Sequence, residues 1–202
     1  VYFAAADDMV DPRFFELAMT AVRRWPHVAV VSGALAFIDT DDHWLGMERG
    51  ALPSYRMSCI SPARAARLIV RFDNWISGSA AIYRTSALRG IGGFPAQLQG
   101  LADSFAARIL ALKDGAVFIP HVLAYWRRTD VGFAAQTISR PDRAAAVERA
   151  AEALVATEFQ ALFPVPFMKR FRRRWTYWQR SQMIRQKSGM WSAVLLIACF
   201  LR

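Results

Sequence analysis

The chain opens with an apolar run that ends abruptly in two carboxylates. Residues 1–6 are apolar and long enough for a buried strand, and Asp7 and Asp8 follow directly. Asp11 and Pro12 then have the pattern of a helix N-cap and first helical position. The sequence therefore predicts a strand, a carboxylate pair and a helix in immediate succession, an arrangement typical of a sheet edge in α/β proteins.

This carboxylate pair has two interpretations. Ligands of open α/β sheets bind at the carboxyl ends of strands, and two hard oxygen donors there suit a Mg²⁺ or Mn²⁺ ion that also holds a substrate phosphate. Alternatively, Asp7 and Asp8 only solvate a strand-to-helix turn. The local sequence leaves both interpretations open.

Composition narrows the class of protein. With 202 residues, 54% hydrophobic and 13% aromatic, the chain is not disordered and can bury one sizeable core. Only Cys59 and Cys199 occur, far apart, which excludes a disulfide framework and a cysteine metal cluster and is compatible with a reducing compartment. Because Val1 falls in what the pattern indicates is mid-strand, we expect an N-terminal portion before it.

The formal charge of +10 is concentrated in the C-terminal part of the chain. No acidic residue follows Glu158, whereas nine basic residues do, leaving 17 basic against 16 acidic residues in the rest of the chain. The sequence therefore divides into a nearly neutral body and a cationic tail, and each needs its own explanation.

The first elements of the body alternate between helix and strand. An amphipathic helix is predicted over residues 12–25 and a buried strand over Val28 to Ile38. The following acidic turn contains Asp39, Asp41, Asp42 and His43. We interpret this turn as a solvated hairpin connection rather than a metal site, because no capped helix follows it.

The middle of the chain contains the most informative sequence. Ser61 and Pro62 predict a helix start, and residues 74–83 predict a strand whose Ser-Gly-Ser centre allows close approach of a ligand or another backbone. Gly92 and Gly93 predict a turn with positive φ, and Asp103 opens a helical pattern. Asp103 is therefore either a helix N-cap or a carboxylate placed to meet a substrate hydroxyl.

The order of these motifs resembles the family 2 glycosyltransferases. The shared features are strand-Asp-Asp-x-x-x-Pro-helix, a Ser-rich strand ending in Tyr83-Arg84, the Gly92-Gly93-Phe94 turn, an acidic residue opening a helix that contains Arg108, and Pro120 followed by an aromatic-Arg pair. The resemblance covers roughly residues 1–130. Members are inverting, nucleotide-sugar-dependent enzymes of the GT-A fold.

The resemblance implies roles for three carboxylates. Asp7 and Asp8 match the acidic motif that binds metal and nucleotide, and Asp103 matches the catalytic base. Such chemistry needs one divalent ion on the leaving diphosphate and one carboxylate that deprotonates the acceptor. The chain departs from the common family pattern at three positions, where it has Ala5, Ala102 and Thr129 in place of Asp, Glu and His.

The C-terminal segment predicts a helical, basic and aromatic extension. A helix is predicted from about Pro141, residues 169–187 interleave basic residues with aromatic ones, and residues 190–201 form an uncharged run shorter than a membrane span. A membrane-interface helix, a nucleic-acid-binding tail and a helix packing its aromatics on the body all fit. Arginine and tryptophan beside an apolar run favour the membrane interface over nucleic acid.

The sequence thus leads to two hypotheses. The first is an α/β enzyme with a GT-A-like mixed sheet flanked by helices, lacking its N-terminal nucleotide-binding portion. It comprises a catalytic part over residues 1–132 and a C-terminal helical extension over residues 133–202. It transfers sugar from a nucleotide-sugar donor to a glycan or lipid-linked acceptor during cell-envelope glycan synthesis, at the cytoplasmic face of an anionic membrane. The second is a non-catalytic basic module that binds anionic membrane surfaces or nucleic acid.

Overall fold

A computed structural model describes residues 1–47, 52–129 and 132–187. It shows a mixed α/β architecture with a six-stranded mixed sheet flanked by helices, which confirms the predicted class. The strands are β1 Met9–Val10, β2 Val30–Ile38, β3 Trp44–Met47, β4 Ser58–Ile60, β5 Ala81–Tyr83 and β6 Ala116–Arg127. The helices are α1 Phe14–Arg24, α2 Pro62–Phe72, α3 Thr85–Arg89, α4 Ala102–Asp114, α5 Phe133–Ser139, α6 Pro141–Ala156 and α7 Phe167–Lys187.

The two longest strands form the centre of the sheet. β2 and β6 run parallel from Val30 opposite Ala116 to Ile38 opposite Arg127. Their register shifts between Gly33 and Ala34, where β6 bulges at Pro120 and His121. Proline cannot donate to the ladder, so the bulge lets β6 continue past it as one strand.

The four shorter strands are all antiparallel to this central pair. β1 and β4 pair with β6, whereas β3 and β5 pair with β2. The turn between β2 and β3 contains the acidic residues 39–43, as the hairpin prediction required. The sheet therefore carries its long parallel strands inside and its short strands at the margins.

The N-terminal segment differs from the predicted buried strand. Residues 1–6 make a single bridge, Tyr2 to Ile82 of β5, and Val1 and Phe3 are 45% and 49% exposed. β5 has only three residues, so it offers too short a ladder for a six-residue partner. The Asp7-Asp8 turn leads into β1 rather than straight into the helix, and α1 begins two residues later than predicted.

Most of the other predicted elements are confirmed. β2, α2 and α4 lie within the segments where the sequence pattern placed them, and Ser61 caps α2 with its hydroxyl accepting the Arg64 N–H. Gly115 ends α4 with φ of +79°. Residues 74–83 are strand only in their last three positions, because Gly78–Ala80 form one 3-10 turn before β5.

The C-terminal helices pack onto the body in a shared hydrophobic core. Phe171 of α7 stacks on Trp175 at 6.0 Å between ring centroids and meets Phe105 of α4 edge-on. Phe171 and Trp175 are 2% and 5% exposed. These two aromatics are therefore core residues, which fits the alternative of a helix that packs its aromatics on the body. Their burial follows from the apolar face of α7 meeting that of α4.

Within the described ranges, no helix is long and apolar enough to cross a membrane. The predicted uncharged run over residues 190–201 lies outside those ranges.

Candidate functional site

A cleft of about 170 Å³ lies where the turn before β5, the start of α4 and the inner face of α7 meet. Its walls combine hydroxyl, amide, carboxylate and guanidinium groups with indole rings, a mixture that suits a polar ligand with apolar faces. It is lined by Asp73, Asn74, Ser77, Gly78, Ser79, Gly100, Leu101, Asp103, Ser104, Arg108, Trp126, Ala134, Ile138, Phe171, Arg174, Trp175 and Trp178.

Asp103 lies in this cleft at the second position of α4. The N-cap is Leu101, so the N-cap alternative for Asp103 is wrong. Its carboxylate accepts the Ser104 backbone N–H at 2.6 Å. Burial raises the pKa of Asp103, and only the Ser104 N–H, its own N–H and the charge of Arg108 oppose that rise.

Gly78 explains how Asp103 fits against the turn before β5. A Cβ at residue 78 would overlap the Asp103 carboxylate, so only glycine leaves room for that side chain. The sequence predicted close approach at this Ser-Gly-Ser segment, and the approaching group is a side chain of α4.

Asp8 lies on the other side of the same turn. Its two oxygens accept one hydrogen bond each, from the Ser79 hydroxyl at 2.7 Å and from the Arg127 backbone N–H at 3.0 Å. Burial raises the pKa of Asp8, and the charge of neighbouring Asp7 adds to that rise. Asp7 itself is exposed.

One turn therefore contacts both Asp8 and Asp103. Ser79 binds Asp8, while Gly78, the preceding residue, lies against Asp103. Asp8 is not part of the cleft lining, whereas its partner Ser79 and Asp103 are.

Arg127 connects the Asp7-Asp8 segment to the acidic turn, and sequence reasoning assigned it no structural role. Its guanidinium donates to the Asp7 carbonyl at 2.8 Å and to the Asp39 carbonyl at 2.5 Å, and it pairs with the Asp42 carboxylate. The Arg127 backbone N–H holds Asp8 as well. One residue at the end of β6 thus orders two loops.

The acidic turn itself contains a group that could hold a metal ion. One ligand atom from each of Asp39, Asp41 and His43 lies within 4.8 Å of the others. The Asp39 carboxylate accepts the backbone N–H groups of Asp41 and His43, chiefly the latter, and these bonds lower its pKa. These hydrogen bonds close the turn, and they explain why the three side chains lie close together.

A buried ion pair forms one wall of the cleft, and the sequence did not reveal it. Asp73 ends α2 with φ of +68° and pairs with Arg108 at 3.3 Å. Both side chains are at most 5% exposed. Such a pair fixes the orientation of Arg108, and removal of one partner would leave a buried charge without compensation.

Sequence reasoning also missed the four α7 residues in the cleft, Phe171, Arg174, Trp175 and Trp178. Their i, i+3, i+4, i+7 spacing is the one signal that could have shown them to share a helix face. The spacing does not show which part of the protein this helix face contacts.

The chemistry of the donor set at Asp8 fits a divalent cation. Each Asp8 oxygen has one lone pair left after its hydrogen bond, and no cationic side chain pairs with Asp8 within the described residues. A half-buried carboxylate with free oxygen lone pairs is a hard ligand of the kind that Mg²⁺ and Mn²⁺ prefer. Asp7 can add a second carboxylate.

No protein-family model matches the chain, and no curated protein is significantly similar to it.

The Asp103→Asn variant should be at least as stable as the wild type near neutral pH. Because the folded-state pKa of Asp103 is raised, its contribution to stability is largest in acid and falls as pH rises from the ordinary aspartate value through the raised one. Asparagine does not titrate, so the variant should lack this loss of stability with rising pH. Urea denaturation of the wild type and the variant at about pH 4 and about pH 7 measures the free energy of unfolding. A variant much less stable than the wild type at neutral pH would contradict a raised pKa for Asp103.

Proposed function

We propose that this protein is an inverting glycosyltransferase with a GT-A-like fold, which transfers a sugar from a nucleotide-sugar donor to an acceptor hydroxyl. One observation carries the proposal: in the turn Ser77-Gly78-Ser79, the Ser79 hydroxyl binds Asp8 and Gly78 lies against the Asp103 carboxylate, beside a cleft. Neither carboxylate has a Lys or Arg partner within 4 Å in the described part of the chain.

Asp103 acts as the general base. It lies in the cleft with a pKa that burial raises, so its carboxylate binds a proton more readily than an exposed aspartate does. The acceptor hydroxyl gives its proton to the Asp103 carboxylate as its oxygen attacks the anomeric carbon. The bond from that carbon to the diphosphate breaks on the opposite face, and the nucleoside diphosphate leaves.

Asp8, with Asp7, would hold Mg²⁺ or Mn²⁺, which supplies charge neutralisation for the leaving diphosphate when bound. Ser79 and the Arg127 backbone fix the Asp8 carboxylate in one orientation, so the carboxylate needs little reorganisation on binding.

The Asp103→Asn variant tests the proposal directly. Asparagine keeps the size of the side chain but cannot accept a proton, so sugar transfer should fall by about 10²-fold or more while donor binding persists. Release of nucleoside diphosphate from a panel of nucleotide sugars, measured on the full natural chain, gives the rate. Asp114→Asn, at the far end of α4, is the matched control and should retain activity. Substantial transfer by a folded Asp103→Asn protein would reject the role.

A second comparison separates the two possible metal sites. Asp8→Ala should abolish most Mn²⁺-dependent binding of nucleoside diphosphate, because few protein ligands hold such an ion. Asp41→Ala removes an exposed carboxylate of the acidic turn and should leave binding unchanged. Calorimetric titration of both variants measures the affinities. Loss in Asp41→Ala with normal binding in Asp8→Ala would move the ion to the acidic turn.

We also propose that the protein associates peripherally with the cytoplasmic face of an anionic membrane. Lys169, Arg173 and Arg180 of α7 are exposed, on the same helix whose Phe171 and Trp175 are buried in the body. Each such charge contributes on the order of 1 kcal/mol near an acidic leaflet, less when salt screens it.

Liposome co-sedimentation tests this association. Binding should require anionic lipid, weaken as salt rises, and fall in a Lys169→Gln, Arg173→Gln, Arg180→Gln triple variant. Absence of binding to anionic vesicles would overturn the membrane proposal and leave these residues as a solvated surface.

A further inference from the structure

Arg174 differs from its neighbours on α7. Arg170 donates to the Arg71 carbonyl and Arg172 pairs with Glu152, whereas Arg174 has no hydrogen bond or ion pair with any residue that the structure describes. Arg174 is also half-buried and lines the cleft, while Arg173 beside it is exposed. A guanidinium removed from water without a counter-charge costs free energy, which an anionic ligand would offset.

The other charged groups of the cleft do not offer Arg174 a partner. Asp73 is committed to Arg108. The charge of Arg108 lowers the pKa of Asp103, whereas Arg174 is not among the groups that affect this pKa. The cleft therefore holds a base on one side and an uncompensated cation on the α7 side. A guanidinium binds carboxylate or phosphate with two parallel hydrogen bonds.

Trp178 lies one helical turn beyond Arg174 and borders the same cleft. Trp175 has a structural role, since it is 5% exposed and its indole N–H donates to the Ala144 carbonyl at 3.0 Å. Trp178 is only half-buried, so part of its ring remains accessible. A flat aromatic surface next to polar groups suits the apolar face of a sugar ring.

We propose, resting on the function above, that Arg174 and Trp178 form the acceptor subsite and that the acceptor is an acidic sugar. The sugar ring lies on Trp178, its carboxylate or phosphate pairs with Arg174, and its reacting hydroxyl faces Asp103. The assignment to acceptor rather than donor follows from which carboxylate lines the cleft. Asp8, the proposed diphosphate side, is outside the cleft lining, whereas Asp103, which serves the acceptor, is inside it.

Binding of small probes without nucleotide or metal tests this subsite. Glucuronic acid and glucose 6-phosphate carry the two candidate anions, and methyl glucoside is the uncharged reference. In NMR titrations of the full natural chain, Arg174→Gln should weaken binding of at least one anionic probe by about 10-fold and leave methyl glucoside unchanged. Trp178→Leu should weaken all three, and the better anionic probe identifies carboxylate or phosphate.

Two further variants keep the test decisive. Arg149→Gln removes an exposed charge of α6 that does not line the cleft and should bind every probe normally, and Arg174→Lys should retain part of the affinity for anionic probes. Equal loss in Arg149→Gln and Arg174→Gln, normal binding by Arg174→Gln, or no saturable binding of an anionic probe overturns the subsite. Because these titrations require no transfer, an active Asp103→Asn protein would reject the glycosyltransferase function while leaving an acidic-sugar site intact.

Discussion

Parallel pairing of β2 with β6 is the constraint on which the site depends. It extends to Ile38 opposite Arg127, so the last residues of β6 emerge beside the acidic turn that follows β2. The backbone N–H of Arg127 is then free to hold Asp8, and its guanidinium reaches the acidic turn. The bulge at Pro120 and His121 shifts the register but lets the ladder continue past the proline, so β6 reaches the site as one strand.

The second requirement is space at Gly78. A side chain there would displace the Asp103 carboxylate, and the same turn must also present the Ser79 hydroxyl to Asp8. Two carboxylates with raised pKa values thus contact two consecutive small residues, Gly78 and Ser79. Perturbed titration of this kind, next to a cleft, is more common at functional sites than elsewhere in proteins, although buried ion-pair networks also produce it.

Local sequence signals located most elements but not their contacts. Ser61-Pro62, Gly115 and the periodicity of α1 and α4 are short-range features, and the structure bears them out. The prediction of an N-terminal strand was wrong because strand pairing depends on the length of a distant partner strand, β5. The Asp73–Arg108 pair and the cleft face of α7 join residues far apart in sequence, which no local pattern encodes. Residue type and resemblance were enough to select Asp8 and Asp103 as site residues. They were not enough to predict that both residues contact the same turn.

Helix α7 belongs to two surfaces at once. Its inner face borders the cleft through Arg174 and Trp178, and its outer face carries exposed cations such as Arg173 and Arg180. When a rigid helix tilts, both of its faces move together. Whatever binds the outer cations and shifts α7 must therefore alter the affinity of the cleft, and by thermodynamic reciprocity an occupant of the cleft must alter outer-face binding by the same factor.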